Sequence, residues 1–358
     1  MKTTMRLELS QCLRQIGGFG ILLLLAHPAC FGLNGPEAKA QSRELNLYSA
    51  RHYGSDNALY EEFTKKTGIK VNHIQAGDEA LLERLKSEGK ASPADVILLV
   101  DVARLWKAQT EGLFAPVRSE VLNAALPLNM RTDNLWFGLT TRARLIVYDK
   151  SKIKPEQVST YDSLANPDLK GKVCTRSGSH PYMLSLLASI VAHQGEAKAE
   201  AWAKGVVNNL ARTPRGGDTD QIRGVMTGEC AVALTNSYYL VRLLNSEKTE
   251  EKAAAQRLGI VWPNQSTTGA HVNVSGGGMA RYAPHPEAAK AFLEFLVSPS
   301  AQAQLANANN EWPAVQKTQI VNPALLKIGR LKADPIEISK IAVNQTLAAR
   351  LMDRAGWK

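Results

Sequence analysis

The run Ala94-Asp95-Val96-Ile97-Leu98-Leu99-Val100 constrains the fold of this 358-residue chain more than any other stretch. It is short, continuous and apolar, the pattern of a strand buried on both faces, and such strands belong to sheets covered by helices on both sides. Its surroundings agree. Residues 44–49 read as a first strand, 50–56 as a polar loop, 57–66 as an amphipathic helix and 69–74 as a second strand. Asp78 is placed to cap a helix reaching about Lys86, and 102–109 read as helical. Strand and helix alternate, which predicts a parallel α/β sheet.

The pattern restarts further on. Residues 135–148 form a long extended stretch that reads as a strand leaving one lobe and entering another. Beyond it lie a strand at 172–175, a loop at 176–181, and helices over 182–192, 197–210 and 218–226. A strand at 258–262 leads back, 275–280 reads as a flexible glycine turn into a strand, helices begin at Pro286 and Ser300, and the last forty residues read as largely helical. The expected fold is α/β with two lobes joined by crossing extended segments and a ligand cleft between them. The expected boundaries are 41–141 with 266–312 for the N-terminal lobe, and 142–265 with 313–358 for the C-terminal lobe. Ligands in such sheets bind at loops after the strand C-termini, here 50–56, 176–182 and 235–239.

The first forty residues have another purpose. Lys2, Arg6 and Arg14 precede the apolar run Gly20–Ala26, and Ala38-Lys39-Ala40 offers a cleavage site: a secretory signal, too short to span a bilayer. Lipid attachment at Cys30 is the alternative, though His27 stands where a lipoprotein signal has leucine. Signal removal takes four basic and two acidic side chains from a net charge of +10, leaving +8. No basic stripe with interleaved aromatics accompanies that charge, so nucleic acid is not an expected partner. Cys174 and Cys230 remain; in an exported chain they form one disulfide or stay as two buried thiols.

Chemistry concentrates in the tyrosines. The apolar strand 230–234 runs into Thr235-Asn236-Ser237-Tyr238-Tyr239, where Asn236 or Ser237 is a suitable helix N-cap. Two side chains on a first helical turn diverge by only about 100° and can converge on one point. Tyr53 and Tyr182 lie in the other two cleft loops. Phenolate is rare at neutral pH, but a bound cation stabilises it, and as a hard oxygen donor it suits Fe³⁺. His52 could add a nitrogen beside Tyr53, and Arg51, Arg104, Arg176 and Arg242 could compensate phenolate charge. Enzyme signatures are missing: there is no H-E-x-x-H, no G-x-S-x-G in context and no G-x-x-x-x-G-K.

Three stretches, Tyr48-Ser49-Ala50-Arg51-His52-Tyr53, Thr175-Arg176-Ser177-Gly178-Ser179-His180-Pro181-Tyr182 and Asn236-Ser237-Tyr238-Tyr239, resemble the ferric-iron-binding proteins of periplasmic ABC importers, within the type II periplasmic binding protein fold. The likeness to the cyanobacterial FutA/IdiA-type branch covers essentially the whole mature chain. It implies Fe³⁺ as transported ligand, held by Tyr182, Tyr238, Tyr239 and Tyr53, with His52 or else a water or synergistic carbonate completing the shell. It further implies a monomeric periplasmic carrier, not an enzyme, that serves an inner-membrane ABC permease. Two alternatives stay open: a same-fold protein for an organic or anionic solute such as a polyamine, thiamine or phosphonate, and a photosystem-protecting iron-binding protein.

Overall fold

The structure is a computed structural model that describes residues 43–358. The signal segment, its cleavage site and Cys30 lie outside the described residues. In chain order come β1 (Glu44–Ser49), α1 (Asp56–Thr67), β2 (Lys70–Gln75), α2 (Asp78–Glu88), β3 (Val96–Leu99) and α3 (Val102–Thr110). Then β4 (Phe114–Ala115), α4 (Glu120–Ala125) and β5 (Arg131–Thr132) lead to the long β6 (Trp136–Tyr148). Beyond it lie β7 (Val173–Cys174), α5 (Pro181–Gln194), α6 (Glu196–Asn208), α7 (Asp218–Met226), β8 (Val232–Asn236), α8 (Ser237–Leu244), α9 (Thr249–Arg257) and β9 (Gly259–Val261). The remainder is β10 (Val272–Ala280), α10 (Pro286–Leu296), α11 (Pro299–Asn309), β11 (Trp312–Pro313), α12 (Pro323–Lys327), α13 (Ile338–Val343) and α14 (Gln345–Ala355).

The strands follow the order β2-β1-β3-β10-β6-β8-β7. The outer pairs β1/β2, β1/β3 and β7/β8 are parallel, as the alternating pattern predicts. The middle is not: β10 runs antiparallel to both β3 and β6, and β6 antiparallel to β8. The physical reason is that β6 and β10 are long segments running past each other in opposite directions. The first part of β6 pairs with β10, and its last five residues, Arg144–Tyr148, pair with β8. All of β6 is buried, including Thr140, Thr141, Arg142 and Arg144. Four polar side chains in a fully buried strand need partners, and those partners build the site.

Several local expectations change. Residues 275–278 are not a flexible turn but the interior of β10, and 276–278 are glycine because the neighbouring strands come close. A Cβ on Gly276 would stand 2.5 Å from the Phe137 carbonyl oxygen. Gly77, not Asp78, occupies the cap position of α2, and the Asp78 carboxylate instead accepts from the Val100 N–H at 3.0 Å. The last forty residues are less helical than expected, because 328–336 form no helix and bridge Ala270 through Ala333. Cys174 and Cys230 form a disulfide that ties β7 to the segment between α7 and β8.

Candidate metal centre

Three local structures deliver the phenols. Pro181 starts α5, with its ring pre-set for the first helical turn, and His180 caps it by accepting from the Tyr182 N–H at 3.2 Å. Burial, together with Arg176 and Arg144, pushes the His180 imidazole down to about 3. It is therefore neutral and keeps the lone pair that caps. Tyr182 thus sits at the second position of α5. Tyr238 and Tyr239 occupy the second and third positions of α8, where the positive end of a helix favours anionic oxygen. Asn236 does stand at the cap position of α8, but its side chain makes no capping bond; its carbonyl oxygen accepts from Arg144 Nη1 at 3.2 Å. The buried Arg144–Asp218 pair, 2.7 Å apart, holds this junction, and Asp218 also accepts from the Asn236 N–H at 2.6 Å.

These helices bring the Tyr182 and Tyr238 hydroxyls to 3.1 Å. The Tyr238 and Tyr239 rings stand 4.1 Å apart, and the Tyr53 ring meets Tyr238 edge-on at 6.3 Å. Tyr53 comes from the loop before α1, and its hydroxyl donates to Glu311 Oε1 at 3.1 Å. That carboxylate is itself fixed, accepting from Thr140 Oγ1 at 2.6 Å and lying 3.6 Å from Arg51. Arg51 in turn pairs with Asp56 at 2.7 Å. His52 is at the rim: exposed, with its ring stacked on Tyr53 at 4.9 Å.

A guanidinium faces each ring. Arg51 lies 5.0 Å from the centre of Tyr53, Arg142 and Arg176 lie 5.6 and 5.4 Å from Tyr182, and Arg242 lies 6.0 and 5.5 Å from Tyr238 and Tyr239. Arg104 is not among them. It pairs with Glu79 at 2.5 Å, because α3 carries it along the surface toward α2. Arg142 and Glu311 are the members that sequence reasoning missed. The signal for the first was two arginines alternating inside an otherwise apolar strand; Glu311 carried no signal in the sequence.

Burial pushes the Tyr53 and Tyr238 phenols well above their ordinary range, Glu311 adding to the effect on Tyr53 and the neighbouring tyrosines to that on Tyr238. Burial takes Tyr182 up to about 12 against the lowering effect of Arg142. These three phenols are therefore protonated at neutral pH, and only a strong Lewis acid would displace the protons. Arg142 is fully enclosed, donates to Ser275 at 2.7 Å, and keeps Nε and Nη2 without an acceptor. Two guanidinium nitrogens without acceptors beside the phenols fit a site that becomes anionic. Among the described residues, no group of three or more His, Cys, Asp and Glu side chains is placed to hold a metal.

Residues 58–324 match the family model of the bacterial extracellular solute-binding proteins. The chain is 49% identical to iron uptake protein A1 of Synechocystis over 90% of its own length and 89% of that protein's. It superposes on a Trichodesmium IdiA/FutA structure in complex with iron and citrate with a TM-score of 0.84, at 48% identity, covering 88% of this chain and all of that one. The ferric binding protein of Campylobacter jejuni gives a TM-score of 0.83 at 41% identity, with 88% of this chain and 100% of that chain covered.

Proposed function

We propose, for a chain that belongs to the bacterial extracellular solute-binding protein family, that its cleft captures Fe³⁺ through tyrosine phenolates and delivers it to an ABC transporter in the inner membrane. The observation that carries this reading is the convergence of Tyr182 and Tyr238 to a 3.1 Å oxygen–oxygen distance with Tyr53 and Tyr239 beside them. Fe³⁺ replaces the phenol protons, and four phenolates carry more negative charge than the ion does positive. The surplus meets the fixed cations Arg51, Arg142, Arg176 and Arg242. His52, a water or a small anion such as carbonate fills what remains of the coordination shell.

The carrier works as a monomer in the periplasm and performs no chemistry on its cargo. Closing the lobe of 41–141 and 266–312 on that of 142–265 and 313–358 shuts out competing water, and the permease reopens it. The direct test is optical. Protein loaded from ferric citrate should show a phenolate-to-iron charge-transfer band in the visible that the metal-free protein lacks. A colourless loaded protein, or a thermal shift with an organic solute and none with iron, would defeat the proposal.

A further inference from the structure

We infer that Trp357 is a positioning residue for iron capture: it props the 176–181 loop so that Tyr182 and Arg176 face the cleft. The inference rests on the reading of Tyr182 as a ligand. α14 ends in a left-handed Gly356, φ 72°, with the Gly356 and Trp357 N–H groups donating back to Asp353 and Met352 at 3.0 Å. That turn carries the indole beneath the loop. Its Nε1–H donates to the Arg176 carbonyl at 3.1 Å, and its ring packs 5.7 Å from that of Trp202. Trp357 is only 3% exposed. The Gly178 N–H donates to the main-chain oxygen of Lys358 at 3.4 Å.

Gly178 is the second half of the device. Its backbone is not left-handed, so torsional freedom does not explain it; space does. A Cβ there would stand 2.5 Å from the Trp357 carbonyl oxygen and 3.0 Å from the Trp357 Cβ and Cγ. The loop has no large apolar anchor of its own: Ser177 and Ser179 bond mainly to each other, hydroxyl to hydroxyl at 2.9 Å. The Trp357 contact holds the main chain at the loop's entry, and the His180 cap of α5 holds its exit. Arg176, whose guanidinium faces the Tyr182 ring and lies 3.7 Å from Asp218, stands at the entry, and Tyr182 follows directly after the cap. A donor set tolerates errors of about 0.5 Å, so loosening the loop should be read directly at the metal.

The experiment measures Fe³⁺ affinity from ferric citrate by chelator competition, with the charge-transfer band, for Gly178→Ala, Trp357→Ala and Trp357→Phe. Each is made alone and in a Tyr182→Phe background, and each is assayed well below its own Tm. Gly178→Ala and Trp357→Ala should lower affinity by about 10- to 100-fold, the range for outer-shell supports of a metal ligand, and shift the band. Trp357→Phe, which keeps most packing but loses the N–H, should fall between these and the parent. In the Tyr182→Phe background these losses should largely vanish, since the ligand they position is gone. Variants that lower Tm but leave affinity unchanged, or an undiminished loss in the Tyr182→Phe background, would make Trp357 a core residue only and overturn the inference. A parent chain without the band would overturn the phenolate reading itself, and this inference with it.

Discussion

The Tyr182 and Tyr238 hydroxyls lie 3.1 Å apart although 56 residues separate them in sequence. Each sits in the first turn of a helix, which fixes where its backbone stands. That approach of two phenol oxygens is the geometry on which the proposed iron site rests.

Tyr238→Phe tests that geometry. Tyr238 is 1% exposed, and Phe preserves its packing, so the change should move fold stability by only about 1 kcal/mol through the lost hydrogen bond. Fe³⁺ affinity should fall by about 100-fold or more, a loss of the size that even supporting residues of a metal site reach. His52→Ala, at an exposed rim position, should cost less than about tenfold. Chelator competition on the purified variants gives both numbers.

Acid should empty the site. The raised phenols of Tyr53, Tyr182 and Tyr238 hold their protons at neutral pH, so each one that ligates must release a proton. Binding then strengthens as pH rises and weakens as pH falls, by about tenfold per pH unit for each proton displaced. Titrating the charge-transfer band from pH 8 down to pH 5 at fixed citrate measures that slope. A flat profile would mean the phenols do not ligate as anions.

Glu311 should matter to folding as well as to Tyr53. It is 1% exposed and joins Tyr53, Thr140 and Arg51. Glu311→Ala strands the buried Tyr53 and Thr140 hydroxyls and leaves Arg51 with Asp56 as its remaining carboxylate, and should cost about 3 kcal/mol, the lower end for breaking a buried ion pair. Glu311→Gln keeps the shape and an acceptor and should cost less. Urea unfolding midpoints distinguish them.

Reducing the Cys174–Cys230 bridge should destabilise the chain. It spans 56 residues, and loop closure on that scale corresponds to about 4 kcal/mol on the chain-entropy account. Thermal unfolding with and without a thiol reductant should show a fall in Tm. Iron affinity at 25 °C should stay unchanged, because the bridge ties β7 to the segment between α7 and β8, behind the site.

Sequence alone determined the α/β class, the buried strand β3, the crossing strand β6 and the three tyrosine-bearing loops. Local chemistry dictated all of these: apolar runs make strands, and proline is favoured at the first turn of a helix, where Pro181 stands. Three of the four arginines chosen from sequence face tyrosine rings, since Arg51, Arg176 and Arg242 lie close in sequence to the tyrosines they attend. Arg104 does not, and its partner Glu79 sits on a helix that no local signal connects to it.

Tertiary structure decided what depends on distant contact. The sequence could not reveal that β10 runs antiparallel through the middle of the sheet, or that its glycines are packing residues, because the strands that crowd them are more than a hundred residues away. Glu311 reaches Tyr53 across 258 positions, and Trp357 reaches Arg176 across 181. A hydrogen bond between side chains so far apart leaves no periodicity and no spacing to read. The Tyr238-Tyr239 pair was therefore visible in the sequence, but the carboxylate, the buried Arg142 and the indole that hold its partners in place were not.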